Sequence, residues 1–388
     1  MPERLYYHDP YLREFEATVL SVETAGGRQA VRLDRSAFYP TSGGQPYDVG
    51  TLDTARVVDV IDADDGDVLH VVDGAVVEGA RVTGRIDWRR RFDHMQQHTG
   101  QHVLSAAFDR LLDARTESFH LGADSATIDL DREVPVPEIA RAEEDANRIV
   151  WEDRPVKITF VDAAEAATLP LRKEPAREGT LRLIDVEGYD LSACGGTHVA
   201  RTGAIGIIAI TGWERFKGGM RVGFVCGGRA LRAQRRLRDI TASSIRLLSV
   251  LPEELPAAVE RLQAEGKETK RAIRELQMKL AAHEAAALAG ASANGRVIVA
   301  LDGWDQNGLK AIALAIAARP GGVAALVGNA SPCPVVVARN AAASVDCAVV
   351  LRQVVEKFGG KGGGRPELAQ GGLPGDPQAI VGYLRELL

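Results

Sequence analysis

The stretch 93–112, DHMQQHTGQHVLSAAFDRLL, is where this chain changes period. Met95, Thr99, His102, Val103, Ala106 and Leu111 recur near helical spacing, which predicts a helix over 93–112. Upstream, β-branched runs of strand length stand at Val19–Glu23, Ala30–Leu33, Val57–Val60 and Val68–Val72. Gly26-Gly27, Ser42-Gly43-Gly44 and Asp73-Gly74 punctuate them, so residues 1–90 read as a small, mostly antiparallel β-barrel. Downstream, a helix is expected over 137–152, where Pro137 suits a first turn. Strands are expected at 156–161, 181–186, 205–211 and 221–225, making 91–228 an α+β segment.

Beyond it the texture changes again. Arg229–Leu248 reads as a basic helix, broken by Leu251-Pro252-Glu253-Glu254-Leu255-Pro256. Val259, Leu262, Gly266, Thr269, Ile273, Leu276 and Leu280 then alternate steps of three and four residues. This is a coiled-coil-like seam weakened at Gly266 and Thr269, and it favours a helical hairpin or dimer contact over 229–290 rather than a long zipper. From 291 to 388 the order is strand (296–301), helix (308–318), strand (323–327), strand (335–338) and helix (345–358). A Gly-rich tail over 359–375 and a helix from Pro377 follow, so this last segment reads as a small α/β domain. The fold class of the whole chain is α+β.

The chain has 388 residues, 45% hydrophobic and 26% charged, a globular mixture that excludes wholesale disorder. No apolar run reaches the ~18 residues of a membrane span. The start, MPERLYYHDPYLREFE, carries charges where a signal peptide has an apolar core. Four cysteines over this length make no disulfide framework, so a reducing cytoplasm is expected. The net charge of −6 argues at face value against a nucleic-acid binder, but the charge is unevenly spread. Between Glu214 and Arg246 stand nine basic residues, including Arg215, Lys217 and Arg221, against two acidic ones. Asp53–Glu78 holds eight acidic residues against Arg56 alone. Polyanion binding is therefore localised rather than excluded.

Three groups of residues can carry chemistry. His98 and His102, four apart on a helix, can reach one metal ion, and so can His94 with His98. His94 and His102 are separated by a rise of about 12 Å, too far for all three to share an ion, and spacing leaves open which adjacent pair is used. Thr99 stands where an H-E-x-x-H metalloprotease needs its glutamate. Cys194-Gly195-Gly196-Thr197-His198 offers a thiolate and an imidazole on a loop, the N/S donors that zinc prefers. In Phe38–Asp48, Thr41, Ser42 and Gln45 offer neutral hydrogen-bonding groups beside glycines, either as a plain turn or as a pocket wall. The tail Gly359–Arg365 could cradle a phosphate through backbone amides with Lys361 and Arg365. It lacks the P-loop pattern, which argues against ATP binding.

Phe38–Asp48, QHTGQHVLSA (97–106) and SACGGTHVARTG (192–203) together resemble the editing domain of alanyl-tRNA synthetase and its free-standing AlaX relatives. FGGKGGGRPELAQGG (358–372) resembles the C-terminal DHHA1-type domain of the same synthetase. The resemblance covers essentially the whole chain. It starts directly with the barrel, without an aminoacylation domain, as in the long AlaX form.

The resemblance implies one zinc ion per chain, held by His98, His102, Cys194 and His198, with His94 outside the motif. It implies trans-editing, the hydrolysis of mischarged Ser-tRNA(Ala), with Gly-tRNA(Ala) as a second candidate, while Ala-tRNA(Ala) is spared. Thr41 and Gln45 fall on pocket positions expected to contact the amino-acid moiety or the attacking water. Many relatives carry a third glycine where this chain has Ser42. The tail and basic stretch become tRNA-binding surfaces (Arg215, Lys217, Arg221, Lys361, Arg365), and the hairpin and tail domain are implicated in a homodimer. Two rival readings are a deacylase of another aminoacyl-tRNA and a non-catalytic, zinc-containing tRNA-binding or dimerisation module.

Overall fold

A computed structural model of the chain describes residues 2–64, 66–172, 179–292 and 294–388. The chain divides into two compact units, Met1–Ser243 and Ser244–Leu388.

The first unit begins with a closed barrel. Its strands run in the order Glu14–Ala25, Arg28–Leu33, Val68–Asp73, Ala55–Asp62, Gly50–Leu52 and Arg81–Ile86, the last closing on the first. Every pairing is antiparallel. Alternation along Glu14–Ala25 sends Phe15, Ala17 and Val19 inward, where they meet Val31, Leu33, Leu52, Val57 and Val82. Of the acidic residues of the 53–78 region, Asp53, Asp64, Asp73 and Glu78 are exposed, while Asp59 and Asp62 are half-buried.

The barrel leads into the helix Trp88–Leu112. Asp87 caps it by accepting from the Arg90 amide at 3.1 Å, and Asp113 ends it in the left-handed region. From His94 to Phe108 every residue is buried, so the helix is central rather than amphipathic. Met95, Val103, Leu104 and Phe108 pack with Ile139 and Ile149 of the helix Val136–Trp151 and with Ile128, Val222 and Phe224. Those last residues belong to a four-stranded sheet ordered Ile208–Phe216, Gly219–Cys226, Ala126–Leu130, Thr116–Leu121. A three-stranded antiparallel sheet, Val156–Val161, Leu181–Val186 and Asp190–Ala193, completes the unit. The run read as a strand over 205–211 starts later, because Thr202–Ile205 forms a 3-10 turn whose Ile205 enters the helix core.

The segment read as a helical hairpin holds two consecutive helices, Gly227–Leu248 and Leu255–Gly290, joined through a short 3-10 turn at Pro252–Glu254. Val259, Leu262, Ile273, Leu276 and Leu280 of the seam are exposed. In the second unit a five-stranded sheet runs Arg296–Leu301, Val323–Gly328, Cys333–Arg339, Leu368–Leu373, Lys361–Arg365. Only its first pair is parallel. Side-chain alternation serves both faces: Ala325, Val327, Val335 and Val337 meet Leu351, Val354 and Ile380, while Leu326 and Val336 meet Leu309, Ile312 and Ile316.

The Gly-rich tail differs from the expected cradle. Lys361–Arg365 pairs with Leu368–Leu373 as an edge hairpin. A Cβ on Gly364 would stand 2.3 Å from the Leu368 carbonyl oxygen, so strand approach accounts for the glycine. No helix among the described residues is long and apolar enough to cross a membrane.

Candidate metal centre

Helix periodicity and strand alternation converge on one point. His98 and His102 project from the same side of the central helix, and Cys194 and His198 from the loop after the strand Asp190–Ala193. Their ligand atoms all lie within 4.8 Å of one another. Cys194 Sγ stands 3.4 Å from His98 Nε2 and 3.3 Å from His198 Nε2. A tetrahedral ion with Zn–S and Zn–N bonds of about 2.3 and 2.0 Å needs ligand separations of roughly 3.3–3.6 Å, which these match. His98, His102 and His198 are buried and Cys194 is half-buried as a residue.

Each imidazole is held by its other nitrogen. Thr197 donates its amide to Gln45 Oε1 at 3.2 Å and accepts from Gln45 Nε2 through Oγ1 at 2.9 Å, which fixes the amide's orientation. His98 Nδ1 must then donate to Gln45 Oε1, at 2.8 Å, leaving Nε2 for a metal. His102 Nδ1 donates to Asp190 Oδ2 at 2.9 Å, and Asp190 Oδ1 accepts from Arg172 at 2.5 Å and Ser192 at 3.1 Å. His198 Nδ1 meets Thr99 Oγ1 at 3.2 Å, and that oxygen accepts the Val199 amide at 3.1 Å. This is the outer-sphere pattern that orients metal-ligating histidines.

Burial penalises charge throughout the cluster, yet neighbours overcome it in two places. The Cys194 thiol is held well below its usual range because the imidazoles of His98, His198 and His102 outweigh desolvation. His102 is pushed up to about 9, Asp190 and Cys194 prevailing over burial. His198 follows burial and falls to about 3. A thiolate with three imidazoles is a donor set for a soft or borderline divalent ion, and zinc fits it.

Backbone geometry protects the arrangement. A Cβ on Gly196 would lie 2.1 Å from His98 Cε1, so only glycine lets the Cys194–His198 loop pass this imidazole. Gln96 and Gln97 pin the helix by donating to the Ala204 and Cys226 carbonyls at 2.9 and 3.1 Å. The turn carrying Gln45 is tied down by Asp48, whose Oδ2 accepts the Tyr39 amide at 2.7 Å and Arg91 Nε at 3.0 Å. The ring of Phe119 lies 5.3 Å from that of His98.

The structure therefore brings together His98, His102, Cys194, His198 and Gln45. Thr41 sits exposed at the start of the Gln45 turn, its hydroxyl oxygen accepting the Tyr47 amide at 3.2 Å. His94 shares the helix but not the cluster. Arg221 is committed within its sheet, with Nε and Nη2 at 2.7 and 2.9 Å from Asp129. Arg215 is exposed and pairs with Glu133 at 3.0 Å, and Lys217 is exposed on the following turn. Lys361 and Arg365 are exposed on the edge strand of the second unit.

Sequence reasoning missed Asp190, Thr99, Thr197 and Arg182. Asp190, Ser192 and Cys194 stand two apart, one face of a strand, and that spacing was the available signal for Asp190. Arg182 donates to the Cys194 carbonyl at 2.6 Å and to the Tyr7 carbonyl at 2.9 Å.

Three family models match the chain. The threonyl and alanyl tRNA synthetase second additional domain matches 181–222, the DHHA1 domain matches 294–387, and the class II (A) tRNA synthetases match 11–90. The chain is 33% identical to the alanyl-tRNA editing protein AlaX-L of Pyrococcus horikoshii, covering 100% of this chain and 98% of that one. It is 36% identical to an alanine–tRNA ligase of Methanoculleus marisnigri over 96% of this chain, but spans only 41% of the ligase. Among solved structures, the C-Ala domain of Aquifex aeolicus alanyl-tRNA synthetase is 25% identical, covers 23% of this chain and 86% of that one, and has a TM-score of 0.22.

Proposed function

We propose that this chain, which belongs to the family of alanyl-tRNA editing proteins, hydrolyses the ester of Ser-tRNA(Ala), and of Gly-tRNA(Ala), while sparing Ala-tRNA(Ala). The observation that carries the reading is the cluster of His98, His102, Cys194 and His198, with its imidazoles oriented by Gln45, Asp190 and Thr99. One zinc ion per chain would be held by the three Nε2 atoms and the thiolate. When bound, zinc supplies Lewis acidity.

An aminoacyl ester is already activated, so water can attack the carbonyl carbon directly. The ribose oxygen leaves with a proton, and no covalent enzyme intermediate is required. Gln45 has both amide atoms engaged by His98 and Thr197, so its role in this proposal is to position a metal ligand. Thr41 is the partner for the serine hydroxyl. A site that hydrogen-bonds a hydroxyl rejects the analogue lacking it far better than an apolar pocket rejects one methylene.

The domain boundaries (barrel 1–90, editing segment 91–228, helical segment 229–290, C-terminal segment 291–388) belong to the same proposal. So do the tRNA contacts at Arg215, Lys217, Lys361 and Arg365. Arg221 can add only long-range charge while it is paired with Asp129. The exposed seam Leu262, Ile273, Leu276 and Leu280 supports a homodimer. The four free thiols suit a cytoplasmic setting.

The test is incubation with labelled Ser-, Gly- and Ala-tRNA(Ala), with and without a chelator. Chelator-sensitive release of serine with Ala-tRNA(Ala) intact is expected. Binding of tRNA without release of any amino acid overturns the catalytic reading, and release confined to another aminoacyl-tRNA overturns the substrate.

A further inference from the structure

One helical turn before His98, the same helix lines a second and separate cavity. Arg89, Arg90, Asp93, His94, Arg229 and Arg232 line about 400 Å³, all within the first unit. Four arginines face one carboxylate. Asp93 Oδ2 accepts from Arg229 Nε and Nη2 at 2.9 and 2.7 Å, which fixes Arg229, while Arg232 stands 3.5 Å from Oδ1. Arg90 donates Nε to the Tyr47 carbonyl at 2.9 Å. Arg89 is exposed and has no ion-pair partner among the described residues. Four arginines against one carboxylate thus leave the lining with a positive excess of three.

His94 supplies the second observation. It is only 3% exposed, and its Nδ1 is sealed from solvent without a hydrogen-bond partner. No described group bonds its Nε2 either. Burial first, and then Arg90, Arg229 and Arg91, push it down to about 3. Burial is the largest cause and Asp93 opposes the shift; the part due to the arginines marks a positive field, which rewards an anion in front of the ring. Because that Nδ1 is sealed from the cavity, a ligand there would meet the arginines, and the ring reports the charge around it.

We propose that this cavity is an anion site seating one backbone phosphate of the nucleic-acid strand that carries the ester. The inference rests on the tRNA reading above. A phosphodiester fits because guanidinium groups recognise phosphate oxygens and because the site adjoins the reaction centre. Pro46, which also lines the cavity, follows Gln45 directly, and His94 precedes His98 by a rise of about 6 Å. Arg89 supplies an exposed donor, Arg90 and Arg232 add further charge, and Arg229 is the fixed charge.

The experiment measures binding of an uncharged tRNA(Ala) acceptor-stem hairpin by fluorescence anisotropy between about 50 and 200 mM salt. Arg89→Ala and Arg232→Ala should each raise Kd about fivefold or more, and the two together should flatten the salt slope by roughly 0.7–0.9, the worth of one phosphate contact. Arg56→Ala, an exposed charge on the barrel, should change neither. Unchanged slope and affinity in both pocket variants, with the wild type binding normally, overturn the site. A wild type that binds no hairpin at any salt removes the tRNA reading instead. In a second arm, the His94 ring resonances are followed by NMR as hairpin or inorganic phosphate is added. A shift with the hairpin that is lost in Arg89→Ala supports the phosphodiester. A shift with inorganic phosphate alone makes the cavity a free-anion site and overturns that assignment.

Discussion

His94 and His102 stand two turns apart on one buried helix, and their surroundings drive them in opposite directions. At His102 burial opposes the imidazolium, but the Asp190 carboxylate 2.9 Å away prevails and the ring is pushed up to about 9. At His94 burial acts with neighbouring arginines and the ring falls to about 3. The same residue type on the same element is thus an oriented candidate ligand in one place and a buried ring without a partner at Nδ1 in the other. Burial is the largest single influence on both rings, and it is reversed only at His102, where a carboxylate holds Nδ1 and a thiol stands close by.

The harshest challenge to that contrast is Cys194→Ala. It should abolish both zinc binding and deacylation, whereas His94→Gln should retain stoichiometric zinc, as read by elemental analysis of the purified proteins. Equal zinc content in the two variants would erase the distinction between the clusters.

His70 provides a third buried histidine, with both nitrogens occupied by neutral groups, Ser36 Oγ at 2.7 Å and the Val31 carbonyl at 3.0 Å. It too is pushed down, to about 4, by burial. Because its folded pKa lies below the unfolded value, the unfolded chain binds the proton first. Stability should therefore be lost as pH falls from about 6.5 to 4, by about 3 kcal/mol for this group. The denaturation midpoint of His70→Gln, followed across that window, should vary less with pH than that of the wild type. A profile of the same steepness would show that paired and unpaired imidazoles are not separated by charge.

Asp190→Asn removes the charge that distinguishes His102 from its neighbour one face away. Zinc affinity should fall about 10- to 100-fold in competition with a chelator, with the fold intact by circular dichroism. The smallest expected effect is at Thr41. Thr41→Val should reduce selectivity for Ser-tRNA(Ala) over Ala-tRNA(Ala) about tenfold, the worth of one hydrogen bond, without loss of zinc. Unaltered selectivity would take Thr41 out of substrate recognition.

Periodicity made most of the architecture legible. The helix over 93–112 and the strands at 156–161, 181–186 and 296–301 stand where alternation and spacing put them, because their side chains meet a core on the expected faces. The strands Thr116–Leu121 and Ala126–Leu130 escaped, although Ala126, Ile128 and Leu130 alternate with Thr127 and Asp129, because the runs are short and begin or continue into polar sequence. The Gly-rich tail also escaped, because glycines signal a turn and hide strands that use them for close approach. At the site, spacing could nominate His98 with His102 and Cys194 with His198, but it left His94 open as a partner for His98. Three-dimensional placement separates them, and it also exposes what no linear spacing carries: Gln45 reaching across the chain to His98 and Thr197, and Asp190 to His102.

Arg91 has a consequence for how the first unit comes apart. Fully buried, its guanidinium donates to the Pro10 carbonyl at 2.8 Å, to the Asp48 carboxylate and to the Ala37 carbonyl, so one helical side chain closes three segments around the barrel. Losing Asp48 strands a buried charge, which costs about 3–5 kcal/mol, while losing either carbonyl leaves a buried donor unpaired. The barrel and the central helix are thereby fused into one cooperative unfolding unit. Slow-exchanging amides of the strand Glu14–Ala25 and the helix Trp88–Leu112 should report a common opening free energy.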